Sequence, residues 1–205
     1  MTINTGIFIY NDVEVLDFAG PFEVFSTAAR VKSRQTKELL PFFNVFTIGE
    51  KKPLITARGG LKICPEYTIK THPEIDLLII PGGIVTKELA NDHIISWIKT
   101  CDTRSKMTAS VCTGAFLLAK AGLLTSKKAT THFEDIPDLE NMFPDTQVIP
   151  NVPWVEEGNI VTSAGISAGI DMSLFLVSRF TDTQLAIDTA RQMEFGWRYS
   201  QYPGE

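Results

Sequence analysis

MTASVCTGAF, residues 107–116, sets a single cysteine between an apolar run and the opening of a helix. Met107 to Val111 mixes β-branched and small residues as a buried strand does, and Gly114 to Ala119 has the apolar spacing of a packed helix. The turn between them falls on Cys112. A residue at a tight strand-to-helix turn projects its side chain above the carboxyl edge of a sheet, and the small Gly114 lets the helix pack close beneath it. A thiol there faces the positive end of the helix dipole, which favours thiolate over thiol. The competing reading of Cys112 is a buried thiol acting as a small apolar side chain.

Outward from this turn, the same alternation repeats. Strand-like runs at residues 6–10, 43–48, 77–80, 107–111 and 129–131 alternate with helical spacing at 21–32, 94–103, 114–121 and 136–142. Two further helices are expected in succession at 167–180 and 183–193, the second capped by Asp182. This pattern predicts an α/β fold: one mostly parallel sheet sandwiched by helices. Pro21 suits a first helical position, because its missing amide hydrogen would be unbonded there anyway. Gly59 and Gly60 within 54–64, and Glu157 to Asn159 within 152–165, predict two hairpins at a sheet edge or in a side flap. Residues 33–40 form the most polar connection and read as a loop or frayed helix end. With 205 residues and 44% hydrophobic content, a single domain spanning 1–205 is expected.

Composition narrows the function. The 19 basic and 24 acidic residues give a net charge of -5 and no basic stripe, so nucleic acid is not an expected partner. No apolar segment approaches the roughly 20 residues that span a bilayer, and MTINTGIFIY lacks the basic start of a secretion signal. A cytoplasmic protein without membrane contact is expected. Cys64, Cys101 and Cys112 form an odd set without close spacing, and His72, His93 and His132 show no metal-binding pattern. Free thiols and no metal or other cofactor are expected.

In an open α/β sheet, ligands bind beyond the carboxyl ends of the strands. After the first strand, Asp17 is placed on the loop before Gly20 and Pro21, as either an acid of the site or a helix cap; Glu23 falls inside the helix and is secondary. After 77–80 come Pro81, Gly82 and Gly83, whose unobstructed amides could donate to a developing negative charge. Thr113 follows the cysteine and could offer its hydroxyl or amide to a substrate. His132 follows another strand end, where a structural histidine is the alternative. The small-residue run 162–172 reads as close helix packing, with Ile170, Leu174 and Val177 in the core.

Taken together, DFAGPFEVF (17–25), LLIIPGG (77–83), ASVCTGAFLLAKAGLL (109–124), KATTHFED (128–135) and SAGISAGID (163–171) resemble the DJ-1/PfpI superfamily across nearly the whole chain. The closest branch holds isonitrile hydratases and the ligand domains of AraC-type regulators. The resemblance implies a flavodoxin-like fold, a homodimer and a small-molecule substrate. It also implies that Cys112 acts as nucleophile with Asp17 as its acid and Thr113 as an accessory group, adding water to an isonitrile to give an N-substituted formamide. Gly82, Gly83 and His132 match positions near the family's cysteine. Protease-like and deglycase-like members carry histidine directly after the nucleophile; Thr113 stands there here, which argues against peptidase activity. A non-catalytic ligand- or redox-sensing module and a glyoxalase- or amidase-like hydrolase remain as alternatives. Regulators of this branch carry an additional DNA-binding region after the domain, and none is expected within 1–205.

Overall fold

The computed structural model describes residues 2–36, 40–51 and 54–197. In chain order the elements are β1 (Ile3–Phe8), α1 (Val15–Thr36), β2 (Phe43–Gly49), β3 (Ile55–Thr56), β4 (Lys62–Ile63), β5 (Tyr67–Thr68), β6 (Leu77–Ile80), α2 (Thr86–Leu89) and α3 (Asp92–Asp102). They continue with β7 (Met107–Val111), α4 (Gly114–Lys120), β8 (Lys128–Ala129), α5 (Ile136–Met142), β9 (Gln147–Val148), β10 (Trp154–Glu157), β11 (Ile160–Ser163), α6 (Ala168–Phe180) and α7 (Thr183–Gln192).

Seven strands make one sheet in the order β10-β11-β7-β6-β1-β2-β5, parallel throughout except for the β10 edge. The expected mostly parallel sheet between helices is therefore found. Its central strands are covered on both faces, which is why LLII and MTASV read as unbroken buried runs instead of alternating. Helices α1, α6 and α7 pack on one another on one side, and α2, α3 and α4 on the other. The small residues between β11 and α6 serve packing as expected: a Cβ at Gly169 would press on Val111 of β7 at 2.9 Å, and Leu174 and Val177 are fully buried.

Both hairpins form. β10 and β11 pair antiparallel around Gly158, and β3 and β4 pair as a separate flap around the turn Arg58–Gly60. The Asp182 side chain caps α7 by accepting from the Leu185 amide at 2.8 Å. Phe195 and Trp197 dock back on the core; Tyr199 lies outside the described residues.

Two expectations are corrected. Helix α1 begins at Val15 and reaches Thr36, so Pro21 lies inside it and Asp17 is in its first turn, not on a preceding loop. The cause is tertiary: Val13 bridges to Gly83 and the Glu14 amide donates to the Gly82 carbonyl at 2.9 Å, which ends the loop early. Pro21 costs the helix one backbone hydrogen bond, and the contact of Gly20 with Ile170 seats that stretch against α6. The run at 129–131 also yields only the two-residue β8, paired with β9 in a side sheet. Its next two residues turn inward, where the Thr130 amide bonds the Thr162 hydroxyl and the Thr131 hydroxyl bonds the Cys112 carbonyl.

The turn after β7 packs against the end of β6 with no space to spare. A Cβ at Gly114 would collide with the Ile80 carbonyl, a backbone atom that cannot yield. Gly114→Ala is expected to destabilise the protein by about 1–3 kcal/mol or more; an unchanged urea midpoint would contradict this packing.

Candidate functional site

Cys112 holds the elbow in the left-handed region, at φ 55°. For a residue with a Cβ this costs on the order of 1–3 kcal/mol unless its surroundings fix it. Here they do: the Cys112 amide donates to the Ser163 carbonyl at 3.1 Å, and the Cys112 carbonyl accepts from Thr131. Cys112 is 7% exposed, and its thiol lies beside Asp17 of α1.

Asp17 is fully buried. Its Oδ2 accepts the Gly82 amide at 3.0 Å, which excludes the capping role for that oxygen. Among the described residues its Oδ1 has no hydrogen-bond partner of good geometry, although the Cys112 thiol is close enough to favour the ionised carboxyl. Burial raises the carboxyl to about 7, outweighing the help from Gly82, with Glu14 adding to the rise. Burial, then the Asp17 charge, likewise pushes the Cys112 thiol up to about 12, against the amide and hydroxyl of Thr113 that draw it down. The thiolate expected from the helix dipole is thus overridden: α4 spans only Gly114–Lys120, and its end cannot offset burial beside a carboxyl. At neutral pH the resting pair is a protonated thiol and a carboxyl near half ionisation.

Thr113 ties the two turns together. Its hydroxyl accepts the Gly83 amide and donates to the Gly83 carbonyl, each at 2.9 Å. The expectation that Gly82 and Gly83 offer free amides is therefore corrected, because Asp17 takes one and Thr113 the other. Gly83 must be glycine for a different reason: its φ is 132°, and a Cβ would strike the backbone of Asp12 and Val13. The backbone N–H of Thr113 is the stronger of the two Thr113 groups that favour charge on the sulfur, ahead of its hydroxyl.

A cavity of about 220 Å³ opens over Cys112 and Thr113. His132 forms one wall, with Nδ1 3.3 Å from Asp135 Oδ2 and within reach of the Glu134 amide. Its ring fits only because residue 165 is glycine. Opposite it, Arg58 on the β3–β4 flap pairs with Glu14 at 3.3 Å, and Ile166 supplies an apolar edge. Asp17 does not line this space; it stands behind the thiol. Glu23 is elsewhere, held by Arg30 and Thr27 on the outer face of α1. Sequence reasoning missed Glu14, Arg58, Asp135 and Ile166. Asp135 could have been found three residues after His132, but nothing local marks an arginine in a hairpin turn as a neighbour of Cys112.

Among the described residues no cluster of histidine, cysteine or acidic side chains could hold a metal ion, and no helix is long and apolar enough to cross a membrane.

Comparison with known proteins places the chain in a family. The DJ-1/PfpI family model matches residues 5–179. An isonitrile hydratase of Pseudomonas putida is 29% identical over 206 residues, covering 99% of this chain and 81% of that protein. The HTH-type transcriptional regulator CdhR of Pseudomonas aeruginosa is 27% identical over 142 residues, or 69% of this chain and 42% of the regulator, so the match spans under half of the regulator's length. The crystal structure of a ThiJ/PfpI family protein from Pseudomonas syringae superposes with a TM-score of 0.83 at 24% identity, covering 100% of this chain and 78% of that one. With the family pattern matched over most of its length and the cysteine elbow in place, the chain belongs to the DJ-1/PfpI family.

Proposed function

We propose that this protein is a cysteine-dependent hydratase that adds water to a compact isonitrile, giving an N-substituted formamide. The observation that carries the reading is the pairing of a neutral thiol, Cys112, with a fully buried carboxyl, Asp17, that titrates at about 7. A thiol held that far above neutrality needs a base at the moment of attack, and a carboxyl near 7 can take a proton and return it.

The steps follow from that pairing. The Cys112 sulfur bonds to the terminal isonitrile carbon as its proton passes to Asp17, and Asp17 returns that proton to the same carbon, leaving a thioimidate. Water then adds to the carbon and the C–S bond breaks, restoring the Cys112 thiol and releasing R–NH–CHO. The Thr113 N–H beside the sulfur steadies the negative charge that appears there. The Thr113 hydroxyl is a positioning group, since both of its bonds go to Gly83. A cavity of about 220 Å³ suits a small, largely neutral substrate. A homodimer of single-domain chains in the cytoplasm is the proposed working form.

A ligand-sensing role without turnover is the second reading, favoured by the similarity to CdhR. A redox sensor is disfavoured, because peroxide reacts with thiolate and the thiol is pushed up to about 12.

Assay of purified protein against aliphatic and aromatic isonitriles should show formamide release that Cys112→Ala abolishes and Asp17→Asn lowers by about a hundredfold or more. Absence of turnover across the panel would leave the sensing role. For the unmodified protein, kcat/KM should rise with pH through about 7, where Asp17 loses its proton; a rise only toward the thiol's own range would remove Asp17 as the base.

Asp17 also makes a stability prediction. Between the ordinary carboxylate range and about 7, the unfolded chain releases this proton while the folded protein keeps it, so stability falls as pH rises through that window. Asp17→Asn is therefore expected to raise Tm more at pH 8 than at pH 5, with about 2–4 °C for each kcal/mol recovered. An equal or negative shift at both pH values would show that the carboxylate is not buried at this cost.

A further inference from the structure

At the opposite edge of the sheet, beside the amino ends of β6 and β7, a second cavity of about 430 Å³ opens between the connection at 69–76 and α3. It has the volume of an ordinary small-molecule site and nearly twice that of the space over Cys112. One side is apolar and rigid. The Trp97 indole donates to His72 Nε2 at 3.0 Å and packs against Phe8 with ring centres 5.3 Å apart. His72 Nδ1 lies 2.7 Å from the Pro73 carbonyl, so it must donate there. Both imidazole nitrogens are then spent on fixing the indole. Ile75 and the Cys101 thiol, pushed up to about 12 by burial, extend the same wall.

The polar groups of the cavity divide into satisfied and unsatisfied. Asp76 is neutralised by Lys106 Nζ at 2.9 Å and receives the Asn4 amide. Arg104 makes no ion pair among the described residues, and the Ser105 Oγ is buried without a hydrogen-bond partner. Both sit on the turn after α3, which their amides fix by donating to the Cys101 carbonyl at 3.0 and 2.8 Å. A guanidinium without an ion pair among the described residues, beside a rigid aromatic wall, matches one singly charged planar acceptor on an apolar body. We propose that this cavity binds a small aromatic or branched aliphatic monocarboxylate, its carboxylate on Arg104 and its body against Trp97 and Ile75. Glu74, exposed at the rim, opposes the anion and limits the affinity.

The test is calorimetric and ligand-detected NMR titration of the full chain with benzoate and 3-methylbutanoate, with benzamide as the uncharged control. At least one acid should saturate the protein with a Kd of about 0.1–1 mM. Arg104→Gln should weaken it by about tenfold or more, whereas Glu74→Gln should tighten it. Arg104 is solvent-exposed, so its replacement leaves the core intact. Cys112→Ala should bind as the parent does, which separates this site from the elbow whatever the fate of the hydratase assignment. Lack of saturation by both acids, equal affinity for benzamide, or binding that survives Arg104→Gln and disappears in Cys112→Ala would overturn the proposal.

Discussion

Everything at the carboxyl edge of the sheet depends on how closely two adjacent turns approach. The turn after β6 and the turn after β7 touch so tightly that Gly114 has no room for a side chain against the Ile80 carbonyl. The Thr113 hydroxyl then closes the gap with a reciprocal pair of hydrogen bonds to Gly83. From this junction the other positions follow. The Gly82 amide is aimed at Asp17, the loop before α1 is held by the Gly82 carbonyl and the bridge to Gly83, and Cys112 is kept in a conformation a free chain would avoid. The start of α1 with its carboxyl, the glycine turn after β6 and the thiol after β7, three separate stretches of sequence, are thus set by one contact between backbones.

That contact also sets the electrostatics. Among the described residues a glycine amide is the one well-formed hydrogen-bond partner of Asp17, and even with the nearby thiol to help, it is too little to hold a buried carboxylate ionised below neutrality. The thiol beside it is kept protonated by the same burial. The two groups therefore compete for one proton at neutral pH, and neither is held in its charged form by its surroundings.

Much of this was legible from residue order. Continuous apolar runs located β6 and β7 to the residue, because strands covered on both faces have no alternative pattern. The elbow was legible because Cys112 is followed by Thr113 and Gly114, and Asp17 because it precedes a glycine and proline near a strand end. What was not legible came from across the fold. The start of α1 is decided by Gly82 and Gly83, some 65 residues away in sequence from Asp17, and no local signal outweighs Pro21. The use of both glycine amides within the protein depended on partners whose positions only the packed structure fixes. The high thiol pKa was hidden for the same reason: a helix start is visible in sequence, whereas desolvation is a property of the whole neighbourhood.

The fit between Gly165 and His132 reaches beyond this molecule. A residue with any side chain at 165 would occupy the volume of the imidazole, so the ring would have to leave its place beside Asp135 or the loop before α6 would have to move. Positions 132 and 165, distant in sequence, should then drift together among related chains. Lineages that acquire alanine or serine at 165 should be those that have exchanged the histidine for a smaller residue, and with it the shape of the wall over the cysteine.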